Sequence, residues 1–194
     1  MEQKRIYVLL TDTGTLFSQV IKMYTRHPLN HASVALDESL NEVFSFGRKG
    51  PANPFVGGFV RERVIGDLIR GESRLTRCAL YSCTVSPEMY NRFRSRIQDI
   101  ERNEHQYKYN LLGLLGIALK IRIARKNAYF CSQFIASLFQ ECGLRLTSKE
   151  AEMVTPDDFR HCQALKLEFI GDLKDVVSSL NTNRNLLVSN LVSA

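Results

Sequence analysis

Two residues of this sequence, a hundred positions apart, are of types that can carry out nucleophilic chemistry together. Cys131 falls at the expected first turn of a helix, and His31 opens a predicted strand just after Pro28. The dipole and amides of a helix N-terminus favour an anion, so a thiol placed there loses its proton more readily. An imidazole beside that thiol can take the proton and form a thiolate–imidazolium pair. The pair would serve acyl transfer through a thioester.

The remaining cysteines are expected to be ordinary core residues, as cysteines in apolar strands and helices usually are. The chain has five cysteines, an odd number without CxxC spacing: Cys78, Cys83, Cys131, Cys142 and Cys162. This pattern predicts neither a disulfide framework nor a zinc site. We therefore expect free thiols, no metal and no cofactor.

The predicted elements that must position Cys131 and His31 form an α+β domain. Alternation is clearest in a hairpin, where it places His31, Ser33 and Ala35 on one face of the strand. Cys131–Glu141 has the apolar spacing of a helix, and Ser86-Pro87 is a typical helix start. The predicted strands cover residues 4–11, 31–36, 42–46, 59–65, 75–85 and 167–170, and the helices 15–26, 86–103, 111–119 and 131–141.

Composition and charge fit one globular domain without a nucleic-acid partner. The chain has 194 residues, of which 44% are hydrophobic and 24% charged, which excludes a disordered chain. The net charge of +6 tolerates an anionic partner without demanding one, since charges of both signs alternate. We find no zinc knuckle, RNP-like motif or basic helix, and expect no nucleic-acid binding. Arg48, Lys49, Arg61 and Arg63 form a basic stretch, which we expect to be a solvated loop; the alternative is a site that binds a carboxylate of the substrate.

Targeting signals and domain bounds lead to further expectations. The apolar run Ile6 to Leu10 is short and lacks a cleavage site, so we expect no signal peptide and a cytoplasmic protein. The apolar stretch 111–119 is too short for a membrane span. The domain is expected to cover residues 1–175, followed by a loosely ordered, Ser- and Asn-rich tail over 176–194.

Two short motifs resemble the circularly permuted NlpC/P60 papain-like proteins. The first is Gly14–Lys22 followed by Pro28–Leu36, in which a short helix precedes a strand carrying a histidine between small residues. The second is Cys131-Ser132-Gln133-Phe134-Ile135, at the head of a helix. Histidine before cysteine is the order of the permuted members, which include the YiiX-like and lecithin:retinol acyltransferase-related proteins. The resemblance spans roughly residues 4–170.

The resemblance implies a permuted papain-like fold, an antiparallel sheet covered by helices, with Cys131 as nucleophile and His31 as general base. Relatives usually place a His, Glu, Asn or Gln on the second strand about twelve residues after the first His, which here is Val43. A hairpin turn two residues longer would bring Ser45 to that place. Glu42 is the charged alternative, although alternation puts it on the opposite face from Ser45.

The oxyanion would be held by the backbone N–H of Cys131 and a second donor. The sequence leaves that donor open among five side chains: Tyr7, Thr11, Tyr107, Tyr109 and Gln133.

Three functions follow as expectations, the first being a cysteine peptidase or amidase that cleaves a peptide or peptidoglycan-type substrate. The second is hydrolysis or transfer of a lipid acyl group, for which the apolar helix 111–119 would supply an apolar surface that binds the acyl chain. The third is a silent binding module that keeps the fold, since the third catalytic position is weak.

Overall fold

The structure is a computed structural model that describes residues 3–12, 28–48, 57–69, 71 and 75–180. Three features predicted from the sequence lie outside these residues. They are the helix over 15–26, which includes residues 15–22 of the first resemblance motif, Lys49 of the basic stretch, and residues 181–194 of the expected tail.

Six strands form one antiparallel sheet: β1 Lys4–Thr11, β2 His31–Ala35, β3 Val43–Arg48, β4 Gly57–Glu62, β5 Arg77–Val85 and β8 Lys166–Asp172. Two short strands, β6 Lys108–Tyr109 and β7 Ala128–Tyr129, form a separate parallel pair. The order across the large sheet is β4-β3-β2-β1-β5-β8, so β1 pairs with β2 on one side and β5 on the other. Both faces of β1 are covered, which explains its unbroken apolar sequence.

The described α-helices include α1 Pro87–Arg102, α2 Leu111–Leu119 and α3 Cys131–Glu141. The predicted start of α1 is confirmed, since the Ser86 hydroxyl accepts a hydrogen bond from the Met89 N–H and Pro87 is the first helical residue. None of the helices in the described part of the chain combines the length and the apolar character that crossing a bilayer requires.

The two faces of the sheet bury separate apolar clusters. On one face, α1 and α3 pack Phe93 and Phe134 into a cluster with Val34 and Phe46. On the other, Leu9 and Ala35 pack with buried residues of the helical segment 173–180. That segment extends into the expected tail, and its Val176 is only 2% exposed.

The α+β class and the antiparallel sheet with helices against it are therefore confirmed. The alternation predicted for β2 is also confirmed, because Ala32 and Val34 belong to the first cluster and Ala35 to the second. The permuted papain-like arrangement stays a prediction.

Candidate active site

His31 is the first residue of β2, at one end of the two central strands of the sheet. Its partner in the sheet is Thr11, the last residue of β1. Alternation along β2 directs the His31 ring to the same face as Ser33, and the Ser33 hydroxyl lies 3.3 Å from Nε2 of the ring. The ring is 14% exposed, so it is largely removed from solvent yet open at one side.

Glu62 is the last residue of β4, and its carboxylate lies at the centre of the site. It pairs with Val43 in the sheet, and Ser45 lies two residues along β3 on the same face. Three side chains hydrogen-bond to the carboxylate: the Ser45 hydroxyl donates to Oε1 at 2.8 Å, the Ser33 hydroxyl donates to Oε2, and Nε2 of His31 lies 2.8 Å from Oε1. A carboxylate that is only 8% exposed needs such partners to remain charged.

The pKa of Glu62 is lowered by these contacts. Burial alone would raise the pKa of this carboxyl, but the charge of His31 and the hydrogen bonds from His31, Ser33 and Ser45 outweigh burial. Glu62 is therefore an anion at neutral pH.

The pKa of His31 moves in the opposite direction, to about 10. Burial would lower the pKa of the imidazole, but the negative charge of Glu62 and hydrogen bonds with Cys131 and Glu62 raise it by more. The imidazolium is thus the resting form of His31 at neutral pH. Nε2 is the ring nitrogen that faces Glu62.

Cys131 is the first residue of α3 and a free thiol, and its side chain lies near enough to the His31 ring to help raise the pKa of His31. It is 5% exposed. Its neighbours fix the start of the helix: the Ser132 hydroxyl donates to the Val154 carbonyl at 2.6 Å, and Gln133 Oε1 accepts from the Phe130 N–H at 3.4 Å. The sulfur is therefore held at the helix N-terminus, where the unpaired amides favour an anion.

The structure brings Cys131 and His31 together. Ser45 is linked to the His31 ring through the Glu62 carboxylate rather than directly. The carboxylate of Glu62 occupies the position beside Nε2 that the sequence assigned to Ser45. Ser45 instead binds Glu62. The alternative, Glu42, is far from this role, because its carboxylate accepts from Arg94 at 3.0 Å on the surface.

The sequence analysis does not find Glu62, which lies between Arg61 and Arg63 of the basic stretch. Counting along the chain from His31 leads to Val43, and the sheet pairs Val43 with Glu62. The acid thus comes from the neighbouring strand rather than from the counted position. Alternation in β4 was the available signal, since it places Phe59 and Arg61 on one face and Glu62 on the other.

The five candidates for the second oxyanion donor have different surroundings. Tyr107 accepts a hydrogen bond from Arg96 at 3.2 Å, and Gln133 accepts one from Asn110 at 3.1 Å. Tyr7 is buried in the second apolar cluster, and Tyr109 packs against the first. Thr11, the sheet partner of His31, is fully buried, and within the described residues its hydroxyl has no hydrogen-bond partner.

No cluster of three or more His, Cys, Asp or Glu side chains in the described ranges is arranged to hold a metal ion.

Comparison with known proteins gives no match, either to a family model or to a curated protein.

Proposed function

We propose that this protein is a papain-like thiol hydrolase that cleaves an amide bond in a peptide or peptidoglycan-type substrate. Cys131 is the nucleophile, His31 exchanges protons with the reacting groups, and Glu62 holds the His31 ring. The observation that carries the proposal is the place of the His31 ring, which lies close to Cys131 at the N-terminus of α3 and is bonded through Nε2 to the buried Glu62. The motif order and the helix-terminal cysteine, which resemble the permuted NlpC/P60 proteins, agree with it.

The first half of the reaction forms a thioester. The Cys131 thiolate bonds to the carbonyl carbon, and the oxygen of the tetrahedral intermediate is stabilised by the N–H groups at the start of α3. The C–N bond then breaks, and the His31 imidazolium gives its proton to the departing amine. The raised pKa of His31 suits this role, because the proton is already on the ring when the substrate binds.

The second half consumes water. His31, now neutral, takes a proton from a water molecule whose oxygen attacks the thioester carbonyl. The C–S bond breaks, the acid product leaves, and the thiolate–imidazolium pair is restored. Throughout, Glu62 keeps the ring in one orientation and stabilises its positive charge, which is the task of the third residue in such sites.

A second candidate function is hydrolysis of a lipid acyl ester by the same residues. The observation that favours it is the row of exposed leucines on α2: Leu112, Leu115 and Leu119 are 52%, 53% and 68% exposed. Asn110, which caps α2 through its bond to the Gly113 N–H, also donates to Gln133 of α3. The apolar surface is thus attached to the helix that carries Cys131.

Trapping the acyl-enzyme tests the proposal. The chain is incubated with three substrate classes, namely peptide amides including peptidoglycan stem peptides, short acyl esters and phospholipid vesicles, and is then quenched in acid for intact-mass analysis. We expect a mass increase localised to Cys131 and product release with amides. Cys131→Ala should abolish both, and Cys83→Ala, a buried cysteine of β5, serves as the matched control.

Each other outcome decides between the functions. Adducts and turnover only with phospholipid would replace the amidase by the lipid hydrolase. A reactive Cys131 that forms no acyl adduct with any class would favour the silent module. Turnover that survives Cys131→Ala would overturn the thiol mechanism.

A further inference from the structure

Helix α2 consists only of apolar residues and glycines, and it exposes three of its leucines on the face that points away from the protein. Leu112, Leu115 and Leu119 recur at the spacing of one helical face, and all are more than half exposed. The buried positions are instead Gly113 and Gly116. An ordinary surface helix has the reverse arrangement, with leucines against the core.

The glycines explain how the inverted helix packs. A Cβ at position 116 would lie 2.5 Å from the Ile121 carbonyl oxygen, and one at position 113 would lie 2.3 Å from the Asn110 side chain. The chain after the helix therefore folds back tightly against Gly116, and the Ile121 side chain is itself 54% exposed. This contact holds the leucine face outward.

The chain on either side of this apolar face is rich in positive charge. The 34 residues from Tyr107 to Gln140 contain no Asp or Glu and five cations: Lys108, Lys120, Arg122, Arg125 and Lys126. All five side chains are exposed. Arg122 is paired with the Glu152 carboxylate at 3.3 Å and also lies within the field of Glu150, so four of the five cations remain to act on an anionic surface.

We infer that the face formed by Leu112, Leu115 and Leu119, together with the exposed cations that flank it in the chain, docks on an anionic lipid membrane. Protruding leucines insert among acyl chains, and lysine and arginine beside them are attracted to negative headgroups. A nine-residue helix is too short to span a bilayer, so it lies in the interface. This inference goes beyond the hydrolase proposal and does not depend on it.

Tryptophan fluorescence tests the inference directly, because the chain contains no tryptophan. In a Cys131→Ala background, which removes any catalysis, Leu115→Trp and Leu167→Trp each introduce one reporter. The two positions are similarly exposed, at 53% and 48%, but Leu167 lies on β8. With vesicles of phosphatidylcholine and about one-third phosphatidylserine, the emission of Leu115→Trp should shift to the blue and that of Leu167→Trp should not.

Vesicle co-sedimentation gives the affinity. Leu115→Asn with Leu119→Asn should weaken binding at least about tenfold, and neutralising Lys120, Arg125 and Lys126 to glutamine should weaken it by a similar factor. The matched control, Leu167→Asn with Ile170→Asn, should bind like the parent chain. Thermal unfolding, monitored by circular dichroism, checks that each variant is folded.

The inference is overturned if the parent chain does not bind these vesicles, or if the β8 variant loses as much affinity as the α2 variant. It is also overturned if sedimentation velocity shows a dimer that Leu115→Asn with Leu119→Asn dissociates. In that case the face is covered by a second copy of the chain.

Discussion

The carboxylate of Glu62 lies 2.8 Å from Nε2 of His31, although 31 residues separate the two along the chain. The sheet brings them together from the last residue of β4 and the first residue of β2. Ser33 and Ser45 complete the carboxylate's hydrogen bonds. The imidazole therefore has a fixed orientation.

Glu62→Gln should lower kcat/KM by about a hundredfold or more, because the neutral amide no longer stabilises the imidazolium. Glu42→Gln is the matched control: it removes a carboxylate of the same hairpin region that binds Arg94 on the surface, and should change kcat/KM less than about twofold. Steady-state kinetics on whichever substrate forms the acyl-enzyme measures both. Equal rates for the two variants would show that Glu62 has no part in the reaction.

The sequence predicts the local elements that carry His31 and Cys131 well, because such elements depend on short-range patterns. Alternation in β2 fixes the face of His31, and the apolar spacing from Cys131 onward fixes the start of α3. The position of Glu62 depends on the register between β3 and β4, which the Gly- and Pro-rich connection does not specify. A carboxylate between two arginines is usually solvent-exposed, so its burial follows only from tertiary pairing.

Ser45→Ala should reduce the free energy of unfolding by about 1.5–3 kcal/mol, because it removes a hydrogen bond to a buried carboxylate. Ser82→Ala is the matched control, since Ser82 donates to Glu168 at 2.6 Å on the same sheet but away from the site. Urea unfolding measures the stability of both variants. Only Ser45→Ala should also alter the pH dependence of kcat/KM, because Ser45 acts on the reaction through Glu62; identical pH profiles would contradict this.

The free energy of unfolding should depend on pH through the Glu62–His31 pair. The lowered pKa of Glu62 stabilises the fold above the ordinary carboxyl value of 4.5, and this stabilisation is lost as the pH falls below it. The raised pKa of His31 stabilises the fold fully below 6.5, and this contribution is lost as the pH rises from 6.5 to about 10.

Urea unfolding across this range measures the effect. The parent chain should lose stability between pH 6.5 and about 10. Glu62→Gln should lose less over the same interval, since its His31 lacks the partner that raises the pKa. Parallel curves for the two chains would mean that the pair does not titrate as described.

The rate at which iodoacetamide alkylates Cys131, followed against pH by mass-spectrometric mapping, tests the thiolate–imidazolium pair most directly. At about pH 6, Cys131 should be alkylated faster than the other cysteines. Cys78 and Cys83 should react more slowly, because burial raises their pKa values to about 12 and about 11. His31→Ala should slow Cys131 at this pH by an order of magnitude or more. Labelling of Cys131 no faster than Cys78, or a profile unchanged by His31→Ala, would contradict the account.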